Sequence, residues 1–227
     1  MESVDYNKNI ASTYDFDRQS ELHWVLENEY IKRYFKNKKV ILILDAPVGT
    51  GRFIEFYPQN SQLFGVDVSQ DMIDESAKKV SQLGRDGVSL KIGDVTDLSV
   101  FPGDYFDAIV CCRLFHLIGD PDRLRAMREF SRVLKGELIL QAYLVPGGGL
   151  FGKVCRFIVR VVKKVFGGNI PLNASSHNWS HIKNYPLTHD QFLSLAMSAG
   201  LIVSSKTKLC NYRGNDVVIY VLNKNAQ

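Results

Sequence analysis

Val40-Ile41-Leu42-Ile43-Leu44-Asp45-Ala46-Pro47-Val48-Gly49-Thr50-Gly51-Arg52-Phe53 decides how the rest of the chain is read. Five consecutive aliphatic residues suit a strand covered on both faces, as in a parallel sheet. Asp45 ends that strand, where a carboxylate is costly without a polar task. Gly49 and Gly51 let the backbone approach a bound ligand with no Cβ in the way. Pro47 locks φ and removes one amide donor from the turn. A helix is expected to start near Gly51 and to be cut short by Pro58.

Downstream the same rhythm repeats. Leu63-Phe64-Gly65-Val66-Asp67 is a second apolar strand ending in an acid. Ser69 is a good N-cap for the next helix, whose apolar stripe is Met72, Ile73, Ala77 and Val80. Val88 to Ile92 forms strand three, followed by Gly93-Asp94, and Tyr105 to Cys112 forms strand four. Asp120 is expected to cap a helix with Pro121 at its first position, and Gly136 to end it. Glu137 to Leu144 is strand five. Strand and helix alternate, with Asp45, Asp67 and Asp94 at three strand ends. That is a doubly wound α/β pattern, in which ligands sit beyond the carboxyl ends of the strands.

The flanks differ. Residues 1 to 16 are polar with scattered aromatics, and Asp17 to Lys36 carries Leu22, Val25, Leu26, Tyr30, Ile31, Tyr34 and Phe35 at helical spacing. Residues 1–37 thus form an N-terminal arm and helix, and 38–145 with 187–227 form the core. After Pro146-Gly147-Gly148-Gly149, residues 146–186 read as an inserted lid. Within it, Leu150 to Phe166 is an amphipathic helix with basic residues at 153, 156, 160, 163 and 164. Thr188-His189-Asp190-Gln191 has the form of a capping box. Leu201 to Leu209 and Val217 to Leu222 are close enough in sequence to pair antiparallel.

With 227 residues and 45% hydrophobic content, the chain fits one decorated domain. A net charge of +4 is too mild to imply nucleic acid by itself. No Asp or Glu lies between Glu137 and Asp190, so positive charge concentrates there. Cys111, Cys112, Cys155 and Cys210 show no metal-ligand spacing, so no metal site is expected. Free thiols, a polar N-terminus and the lack of a long apolar run point to a cytoplasmic protein.

The motifs in this order resemble those of class I S-adenosylmethionine-dependent methyltransferases. The first stands as Asp45-Ala46-Pro47-Val48-Gly49-Thr50-Gly51, with Pro47 where most members have glycine. The second is Phe64-Gly65-Val66-Asp67-Val68-Ser69 with Met72, and the third is Gly93-Asp94-Val95. The fourth is Phe106-Asp107-Ala108-Ile109-Val110 followed by Leu114-Phe115-His116-Leu117, and the fifth is Phe130-Ser131-Arg132-Val133-Leu134-Lys135-Gly136. The resemblance spans about residues 38 to 222. It implies a Rossmann-like, mostly parallel seven-stranded sheet with an antiparallel last strand, and S-adenosylmethionine as cofactor, leaving S-adenosylhomocysteine. It assigns the methionine end to Asp45, Ala46, Pro47, Gly49 and Gly51, the ribose to Asp67 and Val68, and the adenine to Asp94, Val95 and Met72. Cys112 and Arg113 would line the floor beneath the methyl donor. Asp94 also suits a turn after Gly93, and Met72 also suits plain helix core. A nicotinamide-dinucleotide site fits poorly, because Ile54 stands where its fingerprint needs a third small residue.

The acceptor has no catalytic signature, because methyl transfer mainly needs alignment and water exclusion. Motifs for methylating DNA bases or arginine are missing. A small, apolar or lipid-like acceptor remains, and the His177 to Ala199 stretch loosely resembles the C-terminal part of ubiquinone/menaquinone C-methyltransferases. Candidate acceptor-side groups are His116 and Tyr14 as catalytic residues, with His177, His181 and Tyr185 as substrate contacts. The basic 150–166 segment suits either a lid or a peripheral contact with an anionic membrane. The alternatives are a cofactor-binding scaffold without catalysis, or an RNA or protein methyltransferase using that segment.

Overall fold

A computed structural model describes residues 8–39, 42–145 and 185–225. Two helices come first, α1 (Lys8–Arg18) and α2 (Leu22–Phe35). The sheet strands are β1 (Leu42–Asp45), β2 (Gln62–Asp67), β3 (Val88–Ile92), β4 (Phe106–Cys111), β5 (Leu134–Leu144), β6 (Leu201–Tyr212) and β7 (Asn215–Lys224). Between them run α3 (Gln70–Leu83), α4 (Asp120–Val133) and α5 (His189–Ser198). The strands form one seven-stranded sheet in the order β3-β2-β1-β4-β5-β7-β6. β7 pairs antiparallel with both β5 and β6, while β1 to β5 pair parallel. The order reverses at β1 and β4, so the crevice for a ligand opens beyond their carboxyl ends.

The aliphatic run works as a strand buried on both faces. Leu44, Ile109 and Leu140 pack on one face with Met127 and Phe130 of α4 and Phe192 of α5. Ile43, Val110 and Ile139 pack on the other with Ile31 and Phe35 of α2. Cys111 and Cys112 divide the same way, one in each cluster, and both are free thiols.

Several boundaries differ from the sequence expectation, each for a physical reason. A single helix was expected over 17–36; the chain instead turns between Arg18 and Leu22 and makes two. The buried stripe of α2 is His23, Trp24, Glu27, Ile31 and Phe35, whereas Leu22 and Val25 are exposed. Only a 3-10 turn at Ile54–Phe56 follows the glycine turn, because Pro58 stops any longer helix. Asp120 is not the cap but the first residue of α4; Gly119 caps it, and Asp120 pairs with Arg123. Gly136 does not end the helix. It lies inside β5, where a Cβ would sit 2.1 Å from the Asp107 carbonyl oxygen, so glycine is needed for β4 and β5 to approach. Ser69 and Thr188 cap α3 and α5, the latter in a full capping box.

The ends of the inserted stretch are fastened to the core. Val145 N–H donates to Leu187 O, and Tyr185 N–H donates to His116 O, both at 2.9 Å. Arg123, fully buried, donates to Phe115 O and Tyr185 O, each at 2.7 Å. His177, His181 and the basic 150–166 segment lie outside the described residues.

Candidate active site

A cavity of about 860 Å³, its open mouth included, lies above β1, β2 and β4. Its walls come from four stretches of chain. α1 and α2 give Tyr14 and Trp24, and the turn after β1 gives Pro47 to Thr50 with Arg52 and Phe53. The end of β2 gives Asp67, Val68 and Met72, and the loop after β4 gives Cys112 to Leu114, Leu117 and Ile118. The lining is mainly apolar with a few polar groups, the usual balance of a pocket that must both bury and orient.

The turn after β1 is held by β2. Gly49 N–H donates to Asp67 Oδ2 at 2.9 Å, and Ser69 N–H donates to Oδ1 at 3.0 Å. Gly49 has φ +54 with open space where a Cβ would point, so the turn leaves room above it. Gly51 has φ +77, and a Cβ there would meet Ile54 Cδ1 at 2.7 Å and Ser76 Oγ at 2.8 Å. Burial raises the pKa of Asp67, opposed by the amides of Ser69 and Gly49. Each Asp67 oxygen keeps a lone pair, so the carboxylate can still accept from a vicinal diol.

Asp45 lies behind the turn rather than in the cavity. It is fully buried and accepts from Tyr57 Oη at 2.8 Å. Burial pushes its pKa up to about 8, against the Tyr57 hydrogen bond and the Arg52 charge. Ala46 and Gly51 are likewise buried and absent from the cavity wall. Asp94 and Val95 do not line it either. Asp94 accepts from Thr96 N–H at 2.9 Å in a turn, and Val95 packs in the core.

On the β4–β5 side the walls are backed by a charged network that the sequence reading missed. Glu27 of α2 has no exposed surface; it accepts from Arg52 Nη2 at 2.8 Å and from Gln141 Nε2 at 2.6 Å. Arg113 Nη1 stands 3.8 Å from the same carboxylate. Arg113 has φ +62, a costly backbone for a non-glycine residue. Its N–H donates to Gln141 Oε1 at 2.7 Å, and its Nη2 lies 3.1 Å from His23 Nε2. A guanidinium can only donate, so Nε2 accepts and the His23 ring is neutral. Burial and neighbouring arginines push the His23 pKa down to about 3. Trp24 lies between two guanidiniums, 3.9 Å from that of Arg52 and 5.2 Å from that of Arg113. The missed signal was the i, i+4 series His23, Glu27, Ile31 and Phe35, which places a carboxylate in a buried stripe.

His116 turns away from the cavity. Its ring stacks edge-on against Tyr143 at 4.5 Å, and its Nδ1 is buried without a partner. Burial, then Arg113, push its pKa down to about 3, so the ring stays neutral and is a weak base at neutral pH. His116, the expected catalytic residue, is not among the residues lining this cavity. Tyr185 does not line the cavity; its backbone is tied to His116. Tyr14 does line it, edge-on to Trp24 at 6.0 Å. Among the described residues no group of acids, histidines or cysteines could hold a metal.

Comparison with known proteins follows from this geometry. Residues 43–137 match the family model described as "Methyltransferase domain". Residues 43–137 thus read as a methyltransferase domain, which supports a class I S-adenosylmethionine-dependent methyltransferase. It is 27% identical over 121 residues to a phosphatidylethanolamine N-methyltransferase of Cereibacter sphaeroides, a match covering 52% of this chain and 58% of that protein. It is 31% identical over 144 residues to a demethylmenaquinone methyltransferase of Deinococcus radiodurans, covering 60% and 57%. The matches thus span little more than half of these curated relatives. The fold resembles that of the magnesium protoporphyrin IX methyltransferase of Synechocystis PCC 6803, solved with bound S-adenosylhomocysteine (TM-score 0.66, 12% identity, 96% and 94% of the two chains). It also resembles the YcgJ protein of Bacillus subtilis (TM-score 0.63, 16% identity, 90% and 99%).

The methyltransferase cofactor fits the residues present. The Gly49 turn offers open space, Asp67 keeps acceptor capacity for a diol, and Val68 and Met72 give apolar contact.

Proposed function

We propose that this methyltransferase transfers a methyl group from S-adenosylmethionine to a small acceptor with an apolar body. The observation carrying this reading is that the glycine turn and Asp67 open into one cavity with Cys112, Arg113, Leu114, Leu117 and Ile118. When bound, the cofactor supplies a sulfonium-activated methyl group. Gly49 and its neighbours give the close approach, and Asp67 orients the diol. Trp24, Tyr14 and Phe53 cover the cavity and keep water out. Leu114, Leu117 and Ile118 supply the apolar wall on the β4 side, which suits the apolar body of the acceptor. The demethylmenaquinone and phosphatidylethanolamine relatives support an acceptor of lipid-like character.

Titration calorimetry with S-adenosylhomocysteine tests the cofactor half. Measurable binding to the wild type that Asp67→Ala weakens about ten- to a hundredfold is expected; no binding by either removes the reading. The basic 150–166 segment is read from sequence as a contact for anionic membranes. Flotation with anionic vesicles checks this, with loss of the floating fraction expected for a Lys163→Ala/Lys164→Ala variant.

A further inference from the structure

The methyltransferase reading leaves part of the cavity's charge unexplained. Arg52 and Arg113 share the single buried carboxylate of Glu27. Arg113 also lies 3.7 Å from Glu21 Oε2, but that oxygen is 3.5 Å from Arg18 as well. Among the described residues, Arg52 and Arg113 thus share Glu27 and a Glu21 that also pairs with Arg18. The histidines do not add to this positive charge, because His23 and His116 are held neutral. Arg52 Nη1 and Arg113 Nη1 are each buried without a hydrogen-bond partner. Both arginine side chains are about nine-tenths buried, and both residues line the cavity. A buried charge without a counter-charge is expensive, so the arrangement calls for an anion. A bound cofactor carrying a sulfonium and an ammonium against one carboxylate adds net positive charge to this side.

The place of Arg113 indicates which ligand supplies the anion. Its backbone is anchored to Gln141 of β5 and its guanidinium to His23, whereas the glycine turn and Asp67 belong to β1 and β2. Its strained φ persists because Gln141, His23 and Glu27 hold it, which fits a side chain kept for a task. Guanidinium groups suit carboxylates and other oxyanions through their forked donors.

We propose that Arg113, supported by Arg52, forms an oxyanion-recognising subsite, so that the acceptor carries a negatively charged oxygen group on its apolar body. That group is a carboxylate or an ionised hydroxyl. In the second case the guanidinium favours the deprotonated nucleophile, which is then methylated as it attacks: an O–C bond forms, the S–C bond breaks, and the neutral thioether leaves. No side-chain base is needed in that step, in keeping with the neutral His116. This inference rests on the methyltransferase reading, and its test is arranged to separate the two.

Wild-type protein saturated with S-adenosylhomocysteine is titrated with 1-naphthoate, 1-naphthalenemethanol and 1-naphthylmethylamine, which share a ring and differ in head charge. The naphthoate is expected to bind about tenfold or more tightly than the alcohol, and the amine weakest. The preference falls with rising salt. Arg113→Gln is expected to erase it while holding S-adenosylhomocysteine affinity within about threefold. Arg113→Lys keeps a charge without the fork, and retains the preference at lower affinity. No anion preference in the wild type overturns the proposal, and this arm does not depend on any variant folding. So does a preference that survives Arg113→Gln. Loss of S-adenosylhomocysteine binding in Arg113→Gln with the naphthoate unaffected also overturns it, assigning the guanidinium to the cofactor. If wild type binds the naphthoate but not S-adenosylhomocysteine, the methyltransferase reading falls and the anion subsite stands. Methylation of 2-naphthol at elevated pH, with Arg113→Gln shifting the rate profile to higher pH, distinguishes an ionised hydroxyl from a carboxylate.

Discussion

The two halves of the cavity are built in opposite ways. On the β1–β2 side the wall is backbone: two glycines at positive φ and the amides of Gly49 and Ser69 held by Asp67. On the β4–β5 side it is side chain: Glu27, Arg52, Arg113, His23 and Gln141, drawn from α2 and three other segments. A backbone wall depends on few residues close in sequence. A side-chain wall depends on partners far apart, such as Glu27 and Gln141, and each loss leaves another charge or dipole unpaired. The difference predicts that the first half tolerates changes in charge but not in shape, and the second the reverse.

The strongest way to break that contrast is Glu27→Ala. Removing one partner of a buried ion pair should destabilise by about 3–5 kcal/mol, measured by urea denaturation. A loss below about 1 kcal/mol would show that the network is not tightly coupled. Next comes Gly51→Ala, which combines positive φ with contacts under 3 Å; we expect a loss of about 2–4 kcal/mol in the same assay. Gly49→Ala meets open space, so only the backbone cost of about 1 kcal/mol should appear. Equal effects at the two glycines would refute the view that shape governs this side. Asp67→Ala should weaken S-adenosylhomocysteine by about ten- to a hundredfold through lost hydrogen bonds to an ionised group. Charge-neutral Glu27→Gln should change that affinity far less.

The contrast extends to pH dependence, where its sign differs between the halves. Asp45 has its folded pKa raised from 3.8 to about 8, so the proton is bound more tightly in the folded chain. Its contribution is full below about 4 and lost as pH rises towards about 8. His23 has its folded pKa lowered from 6.5 to about 3. Its contribution is present above about 6.5 and lost as pH falls towards about 3. Asp45→Asn should therefore gain stability relative to wild type as pH rises, and His23→Phe as pH falls. Denaturation midpoints across that range check both slopes; the same slope for the two variants would contradict the assignment.

The same contrast explains what could be read from the sequence. The alternation of strands and helices and the antiparallel end follow from local patterns, so Leu42–Asp45 and its turn were legible. Asp45 was legible as an acid at a strand end, but not as a residue facing Tyr57 behind the turn. The charged wall was illegible because its parts are polar residues in otherwise apolar stripes, and their partners are fixed only by the packing of α2 on the sheet. Leu22 and Val25 drew the stripe of α2 onto the wrong face for the same reason. His116 was placed correctly in the loop after β4, but sequence cannot show that Tyr143 would take its ring.

One feature of the fold bears on how such proteins diversify. The chain leaves the sheet at Val145 and returns at Tyr185, and hydrogen bonds from Val145 to Leu187 and from Tyr185 to His116 close the gap. Arg123 binds the returning strand of chain to the loop carrying Phe115 and His116. The core therefore holds the chain on either side of residues 146–184. The length and composition of that stretch can be exchanged at little entropic cost, because loop closure grows only slowly with length. A chimera that swaps residues 146–184 for those of another methyltransferase should keep its affinity for S-adenosylhomocysteine, as measured by titration calorimetry.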